Sequence, residues 1–393
     1  MVDDKDLSRR TLLGAGAAAG ISLAAGCTGG DGTATENAST ESETATETAT
    51  ETAVQTDTAD PGYSVSMAPV GTVEFDEVPE TWVPFTGDYA DMGVALGQAD
   101  GLAAIGLRSR YGTHYYEELP GVSVDTSELT ELYQEGTDPE LFYEIDADVH
   151  VVDPNFMINR LGWDQNDVDE VTENGAPFFG NTGFSQVYDW HDYRYYSMYE
   201  ALERLAELFQ QRDRYEAFTA YHDEVLADVS SRLPAEGPEV AVLFPADVPP
   251  NAFYPYLVGE GTSSKQWRDL GVNDALAQNG VADAQVSGST IDYETLLEID
   301  PDAIAVRLGG NITDQYFDDN IRSHMEDHDV ASQLTAVQND RVIYGGMTYQ
   351  GPIVHLFQLE AAAQGLYPDE FGGEQLFDRQ RVADIVTGAF RDE

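Results

Sequence analysis

The chain has 393 residues, 72 of them acidic against 19 basic, for a formal charge of −53. A charge that negative excludes non-specific binding to nucleic acid, whose phosphates it repels. The single cysteine, Cys27, excludes an internal disulfide and any cysteine-based zinc site.

Near the N-terminus, Ser8-Arg9-Arg10-Thr11-Leu12-Leu13 reads as a twin-arginine export signal. Residues 11–25 are apolar but too short to span a bilayer as a mature helix. Leu23-Ala24-Ala25-Gly26-Cys27 then reads as a lipobox, in which the Cys27 thiol takes a lipid and becomes the new N-terminus. Residues 1–27 are therefore expected to be a lipoprotein signal peptide that leaves the chain anchored on the outer face of the cell membrane. Residues 28–60 are almost all Thr, Glu, Ala, Ser, Gly and Asp, with no aromatic residue. They hold too little apolar surface to offset their ordering entropy and predict a disordered acidic stalk. Asn37-Ala38-Ser39 and Asn311-Ile312-Thr313 fit the N-glycosylation pattern.

The acidity continues evenly beyond the stalk, and lysine occurs only at Lys5 and Lys265. Such a surface suits concentrated salt, where screening over a few ångströms makes self-repulsion tolerable. An exported protein of a halophile is expected.

From Pro61 onward, about 330 residues suit two lobes of roughly 150 residues each. Apolar runs at 82–85, 102–107, 149–152 and 177–179 predict strands in the first half, and runs at 240–244, 303–308 and 342–344 do so in the second. Between them, Met198, Leu202, Leu205 and Phe209 follow helical spacing, and Phe218, Tyr221, Val225 and Val229 resume it. The polar stretch Gln210-Gln211-Arg212-Asp213 divides two predicted helices, the second about 30 Å long at 1.5 Å per residue. Alternating strands and helices give an α/β class. The predicted division is a lobe over 61–212, a connecting helix over 213–233 and a second lobe over 238–393. Two segments echo each other, Asp138-Pro139-Glu140-Leu141-Phe142-Tyr143-Glu144-Ile145-Asp146-Ala147-Asp148-Val149 and Asp292-Tyr293-Glu294-Thr295-Leu296-Leu297-Glu298-Ile299-Asp300-Pro301-Asp302-Ala303. Each reads as a short helix, a turn and a buried strand, with an acid in the first helical turn. Capping alone could account for Glu140 and Glu294.

Together with Gly87-Asp88-Tyr89-Ala90-Asp91-Met92-Gly93-Val94-Ala95-Leu96-Gly97, Leu334-Thr335-Ala336-Val337-Gln338-Asn339-Asp340-Arg341-Val342-Ile343-Tyr344, Tyr349-Gln350-Gly351-Pro352 and Leu366-Tyr367-Pro368-Asp369, these echoes resemble the iron-siderophore and cobalamin type of substrate-binding protein that serves ABC importers. The likeness runs over nearly all of residues 71–371, with Ala147 in place of a usual proline. It implies a class III fold: two Rossmann-like lobes joined by one long helix, with a ligand in the largely preformed cleft between them. It also implies that Glu140 and Glu294, one acid per lobe, dock onto arginines of the ABC permease.

Ligands of α/β lobes sit beyond the carboxyl ends of strands. That rule singles out Asp88, Tyr89, Arg108, Arg110, Tyr111, Asn155 and Phe156 in the first lobe, and Tyr254, Arg307 and Tyr349 in the second. Guanidinium forks suit the carboxylate or catecholate oxygens of a ferric chelate. The aromatic run Tyr188-Asp189-Trp190-His191-Asp192-Tyr193-Arg194-Tyr195-Tyr196 adds Trp190 and His191. His324 and His328 stand at i and i+4, a spacing able to bind zinc, without the glutamate a metalloprotease needs. There is no Walker sequence and no G-x-S-x-G.

The expected protein is a monomeric, lipid-anchored receptor that passes a ferric-siderophore complex to an ABC permease, catalyses nothing and holds no cofactor. The alternatives are a cobalamin or haem receptor, an acidic cell-surface adhesion protein, and a metal-dependent hydrolase using His324 and His328.

Overall fold

The computed structural model describes residues 62–134 and 136–392. The export signal, Cys27, the stalk and Asn37 lie outside the described residues.

The described chain opens with an antiparallel hairpin, β1 (Tyr63–Met67) and β2 (Gly71–Phe75), registered from Tyr63 opposite Phe75 to Met67 opposite Gly71. The first lobe follows with β3 (Trp82–Pro84), α1 (Gly87–Ala95), β4 (Ala104–Ile105) and β5 (Thr130–Glu131). It continues with α2 (Pro139–Ile145), β6 (Val149–Val151), α3 (Pro154–Leu161) and α4 (Gln165–Asn174). Its strands are short and parallel. β5 pairs β4 and β3 pairs β6, while single bridges join Trp82 to Leu102 and His150 to Phe178. Every residue of β3 and β6 is buried, as expected of parallel strands covered on both faces.

Two helices leave this lobe. α5 (Met198–Leu208) begins with a capping box in which Ser197 and Glu200 satisfy each other's backbone N–H groups. Gln210 then takes a left-handed φ of 54°, which ends the first helix before α6 (Arg212–Arg232) starts. On α6, Phe218, Tyr221, His222, Val225 and Val229 are buried at spacings that share one helical face. Burying side chains such as Phe218 and Val225 contributes about 1.5–3 kcal/mol each, enough to hold the rod against its neighbours.

The second lobe contains β7 (Glu239–Pro245), β8 (Ala252–Tyr256), α7 (Lys265–Asp269), β9 (Asn273–Asp274) and β10 (Ile291–Asp292). After these come α8 (Tyr293–Ile299), β11 (Ala303–Val306), β12 (Val342–Tyr344), α9 (Pro352–Leu366) and α10 (Arg379–Thr387). The sheet order is β10-β8-β7-β11-β12, with β9 beside β7. β7, β11 and β12 are parallel, whereas β8 runs antiparallel to both its neighbours, β7 and β10. The parallel strands β3, β4, β6, β7, β11 and β12 fall on the predicted apolar runs, whereas the hairpin, β5, β8, β9 and β10 do not. The run at 177–179 forms only the bridge from Phe178 to His150. Pro255 inside β8 obscured a strand, and Tyr254, read there as a strand-end ligand group, lies mid-strand opposite Phe244.

The echo has a structural counterpart. α2 and α8 are both seven residues long and are capped by Asp138 and Asp292, whose carboxylates accept from the amides of Glu140 (3.0 Å) and Thr295 (2.9 Å). Both end on a left-handed aspartate, Asp146 and Asp300. Asp148 then accepts from the amides of Glu80 and Thr81, and Asp302 from that of Glu239. Because Asp138 and Asp292 already cap, Glu140 and Glu294 are left exposed, without a side-chain hydrogen bond or ion pair among the described residues.

Candidate ligand-binding site

The loops after β3, β4 and β6 face the second lobe across a seam. Across it, Gly310 donates its amide to the Ser109 carbonyl at 2.7 Å. Thr262 and Ser263 donate theirs to the carbonyls of Gly183 (3.0 Å) and Phe184 (3.2 Å). Side chains add to this closure. Phe184 meets Tyr349 edge-on at 5.0 Å, the Arg110 guanidinium lies 6.0 Å from the Tyr349 ring, and Tyr188 donates its hydroxyl to Gln285 at 2.9 Å. Behind the seam, Asp91 of α1 accepts the amides of Ile353 (2.9 Å) and Val354 (3.1 Å) and so caps α9 of the opposite lobe, whose own N-cap is Gly351. The space left along the first-lobe wall is a cavity of about 10 Å³ lined by Phe85, Thr86, Asp153, Phe156 and Asn181, room for a single water. The largely preformed cleft expected between the lobes is therefore closed here by these contacts across the seam.

Arg307 follows β11 and is 1% exposed. Its Nη2 donates to the Ser263 carbonyl, its guanidinium lies 5.4 Å from the Tyr256 ring, and its Nε and Nη1 have no partner. Burial pushes its pKa down to about 10, against the opposing pull of Tyr256 and Asp283. The Asp283 carboxylate accepts the amides of Leu257 and Gln285, each at 2.8 Å. A buried cation with unmet donors is costly unless an anion arrives. Arg160 on α3 lies over Tyr188 at 5.1 Å and reaches the Gln285 carbonyl at 3.2 Å. The strand-end rule missed it because Arg160 sits in the last turn of a helix, and its spacing gave no signal.

The other sequence candidates divide. Asp88 is 1% exposed beside the seam, with Oδ1 unpartnered. Phe156 lines the cavity and packs on Phe85 and Phe184. Tyr89 also lines it, its hydroxyl accepting the Asn181 amide at 2.9 Å. Tyr349 and Arg110 meet at the seam. Asn155 opens α3, where its carbonyl accepts from Asn159. Trp190 stacks on Tyr188 at 5.0 Å. His191, 6% exposed, lies between Tyr193 (3.9 Å) and Tyr195 (3.6 Å) with neither ring nitrogen partnered, and burial lowers its pKa to about 4.

Two assignments need correcting alongside Tyr254. Arg108 donates to the carbonyls of Thr126 and Leu129 and pairs with Glu131 at 3.7 Å, so it pins its own lobe's edge. Tyr111 is buried in the first-lobe core against Tyr116. His328 accepts the amides of Val330 and Ala331 through Nδ1, and its ring is 6.1 Å from His324. Among the described residues, no group of three or more His, Cys, Asp or Glu side chains could hold a metal ion, and no helix is long and apolar enough to cross a membrane.

Asp88 makes the seam pH-sensitive. Burial raises its pKa from 3.8 to about 6, against the Thr86 and Thr262 hydroxyls that lower it. The folded state therefore holds this proton more tightly than the unfolded chain. The stability it brings is full below about pH 4 and is lost as pH rises through about 6, a swing on the order of 3 kcal/mol. Relative to Asp88→Asn, the native protein should gain melting temperature as pH falls from 8 to 4. A difference between the two proteins that does not change with pH would refute a buried, protonatable Asp88.

A family model described as periplasmic binding protein matches residues 83–348. No curated protein sequence matches the chain. Among solved structures, Helicobacter pylori CeuE in complex with nickel and histidine aligns with a TM-score of 0.56 at 14% identity, covering 83% of this chain and 96% of that one. PiuA of Streptococcus pneumoniae, an iron-uptake ABC transporter substrate-binding protein, aligns at 0.55 and 15%, covering 78% and 99%. The petrobactin-binding protein YclQ of Bacillus subtilis aligns at 0.54 and 15%, with the same coverage.

Proposed function

Since the chain belongs to the periplasmic binding protein family, we propose that it is the substrate-binding lipoprotein of an ABC importer, capturing an anionic ferric-siderophore complex between its lobes. The observation that carries this reading is Arg307: a buried guanidinium at the seam with two nitrogens unmet. Ferric catecholate and carboxylate complexes present the anionic oxygens to which such a fork donates. Arg110 and Arg160, with Tyr188, Tyr256 and Tyr349, supply further cations and flat faces around it. The iron and petrobactin named for PiuA and YclQ support the same class of cargo. The twin-arginine and lipobox segments support export and anchoring through Cys27. On this reading the protein works as a monomer, catalyses no reaction, and offers Glu140 and Glu294 to the permease.

A haem receptor is the second reading, favoured by the unpartnered ring nitrogens of His191 beside Tyr193 and Tyr195. Titration of the purified protein with ferric tris-catecholate, ferric hydroxamate, cobalamin and haem, followed by tryptophan fluorescence, separates these readings. Nanomolar saturation by an anionic ferric chelate is expected. Saturation by haem alone would favour His191, and indifference to all four would overturn the receptor in favour of a surface adhesion protein.

A further inference from the structure

We propose that residues 259–264, between β8 and α7, form a strap that closes the ligand-free cleft, the Ser263 carbonyl holding Arg307 where a ligand oxygen would otherwise bind. The proposal rests on reading Arg307 as a ligand group.

Ser263 is tied to both sides of the seam. Its amide donates to the Phe184 carbonyl at 3.2 Å, and its own carbonyl accepts from Arg307. Thr262 adds a parallel bond to Gly183 at 3.0 Å. The strap is rooted in its own lobe, because Arg268 on α7 donates to the carbonyls of Gly259 and Gly261. It therefore moves with the second lobe and releases the first only when both amide bonds break.

The approach is close enough to demand glycine. A Cβ on Gly261 would stand 2.2 Å from the Phe184 carbonyl oxygen, which is backbone and cannot swing aside. The Gly310 amide to the Ser109 carbonyl is a second closure of the same kind, and a Cβ on Gly309 would come within 2.8 Å of that oxygen.

Closure leaves polar atoms unmet. Asp88 Oδ1 and Arg307 Nε and Nη1 are buried at this seam without partners. Buried polar groups are ordinarily satisfied, so a state that strands three of them can be displaced by a ligand with suitable oxygens. A chelate that reaches Arg307 displaces the Ser263 carbonyl with several acceptors, and the shift of that peptide draws the Thr262 and Ser263 amides off the Gly183 and Phe184 carbonyls. In the ligand-free protein the apparent affinity is reduced by the fraction of molecules that are closed.

Thr262→Pro tests this. Thr262 is the first residue of the turn that leads into α7 and follows Gly261 at φ −60° and ψ 159°. Proline fits a first helical position but lacks the amide that bonds Gly183. Amide hydrogen exchange at Ser263 and Gly310 should accelerate about tenfold or more, and ferric tris-catecholate should associate roughly threefold faster or more. Gly261→Ala should give the same pair of changes by a steric route, which keeps the test open if the proline variant does not fold. Unchanged exchange in a folded variant overturns the strap, and so does faster exchange without faster association. If ferric tris-catecholate binds neither wild type nor variant, the reading of Arg307 fails, and exchange alone then decides whether the strap exists.

Discussion

Replacing Arg307 with methionine is expected to raise the melting temperature of the ligand-free protein while weakening capture of an anionic ferric chelate ten- to a hundred-fold. The two effects have one cause. In the closed protein the guanidinium is 1% exposed and makes one hydrogen bond, to the Ser263 carbonyl. Taking a cation out of water with a single carbonyl acceptor, and with the Asp283 carboxylate acting on it only at a distance, costs several kcal/mol. Methionine fills a similar length with apolar atoms and removes that cost, so a gain of a few degrees is the reasonable scale. The same substitution removes charge-assisted bonds worth about 1.5–3 kcal/mol from the liganded state, the quoted loss of affinity. Thermal unfolding and a binding titration on one preparation read both signs. A lower melting temperature would mean that Arg307 is already satisfied in the absence of ligand, and unchanged affinity would remove it from the site.

That pair of signs could not be read from the sequence, and the reason is physical. Position just past a strand singled out Arg307, Arg110 and Arg108 equally. Only the fold separates a guanidinium stranded at the seam from one pinning the carbonyls of Thr126 and Leu129. The strands β3, β6, β7, β11 and β12 were legible because parallel strands buried on both faces are written as unbroken apolar runs. α5 and α6 were legible because their apolar spacing persists without Gly or Pro. β8 was not, since Pro255 masks a strand whose partners are supplied by tertiary pairing with β7. The seam was equally silent. Its defining contacts are main-chain amides of Thr262, Ser263 and Gly310, and a backbone bond leaves no residue type in the sequence beyond the glycines that permit the approach. Asp91 shows the same limit: it looks like one more acid of α1 until the fold brings it to the start of α9.

Reversing both Glu140 and Glu294 to lysine should abolish uptake of the ferric chelate by cells carrying the cognate permease, with binding to the purified protein unchanged. Each glutamate occupies the second position of a seven-residue helix, α2 or α8, that Asp138 or Asp292 already caps. Neither carboxylate holds any part of its own lobe together, so the bland explanation of these acids as caps is weakened for both at once. Lysine in a first helical turn opposes the helix dipole by about 0.3–1 kcal/mol, too little to unfold either lobe. Abolished uptake would therefore report a lost encounter with the permease, whose arginines would face like charge. The matched control is Glu144→Lys with Glu298→Lys. Both residues are exposed on the same two helices, and the change in net charge is the same, at the opposite helix ends. Uptake should survive it. If the control abolishes uptake as well, bulk charge and not a pair of docking acids governs delivery; if the Glu140 and Glu294 variant instead loses chelate affinity, those residues belong to the cleft and the docking role is wrong.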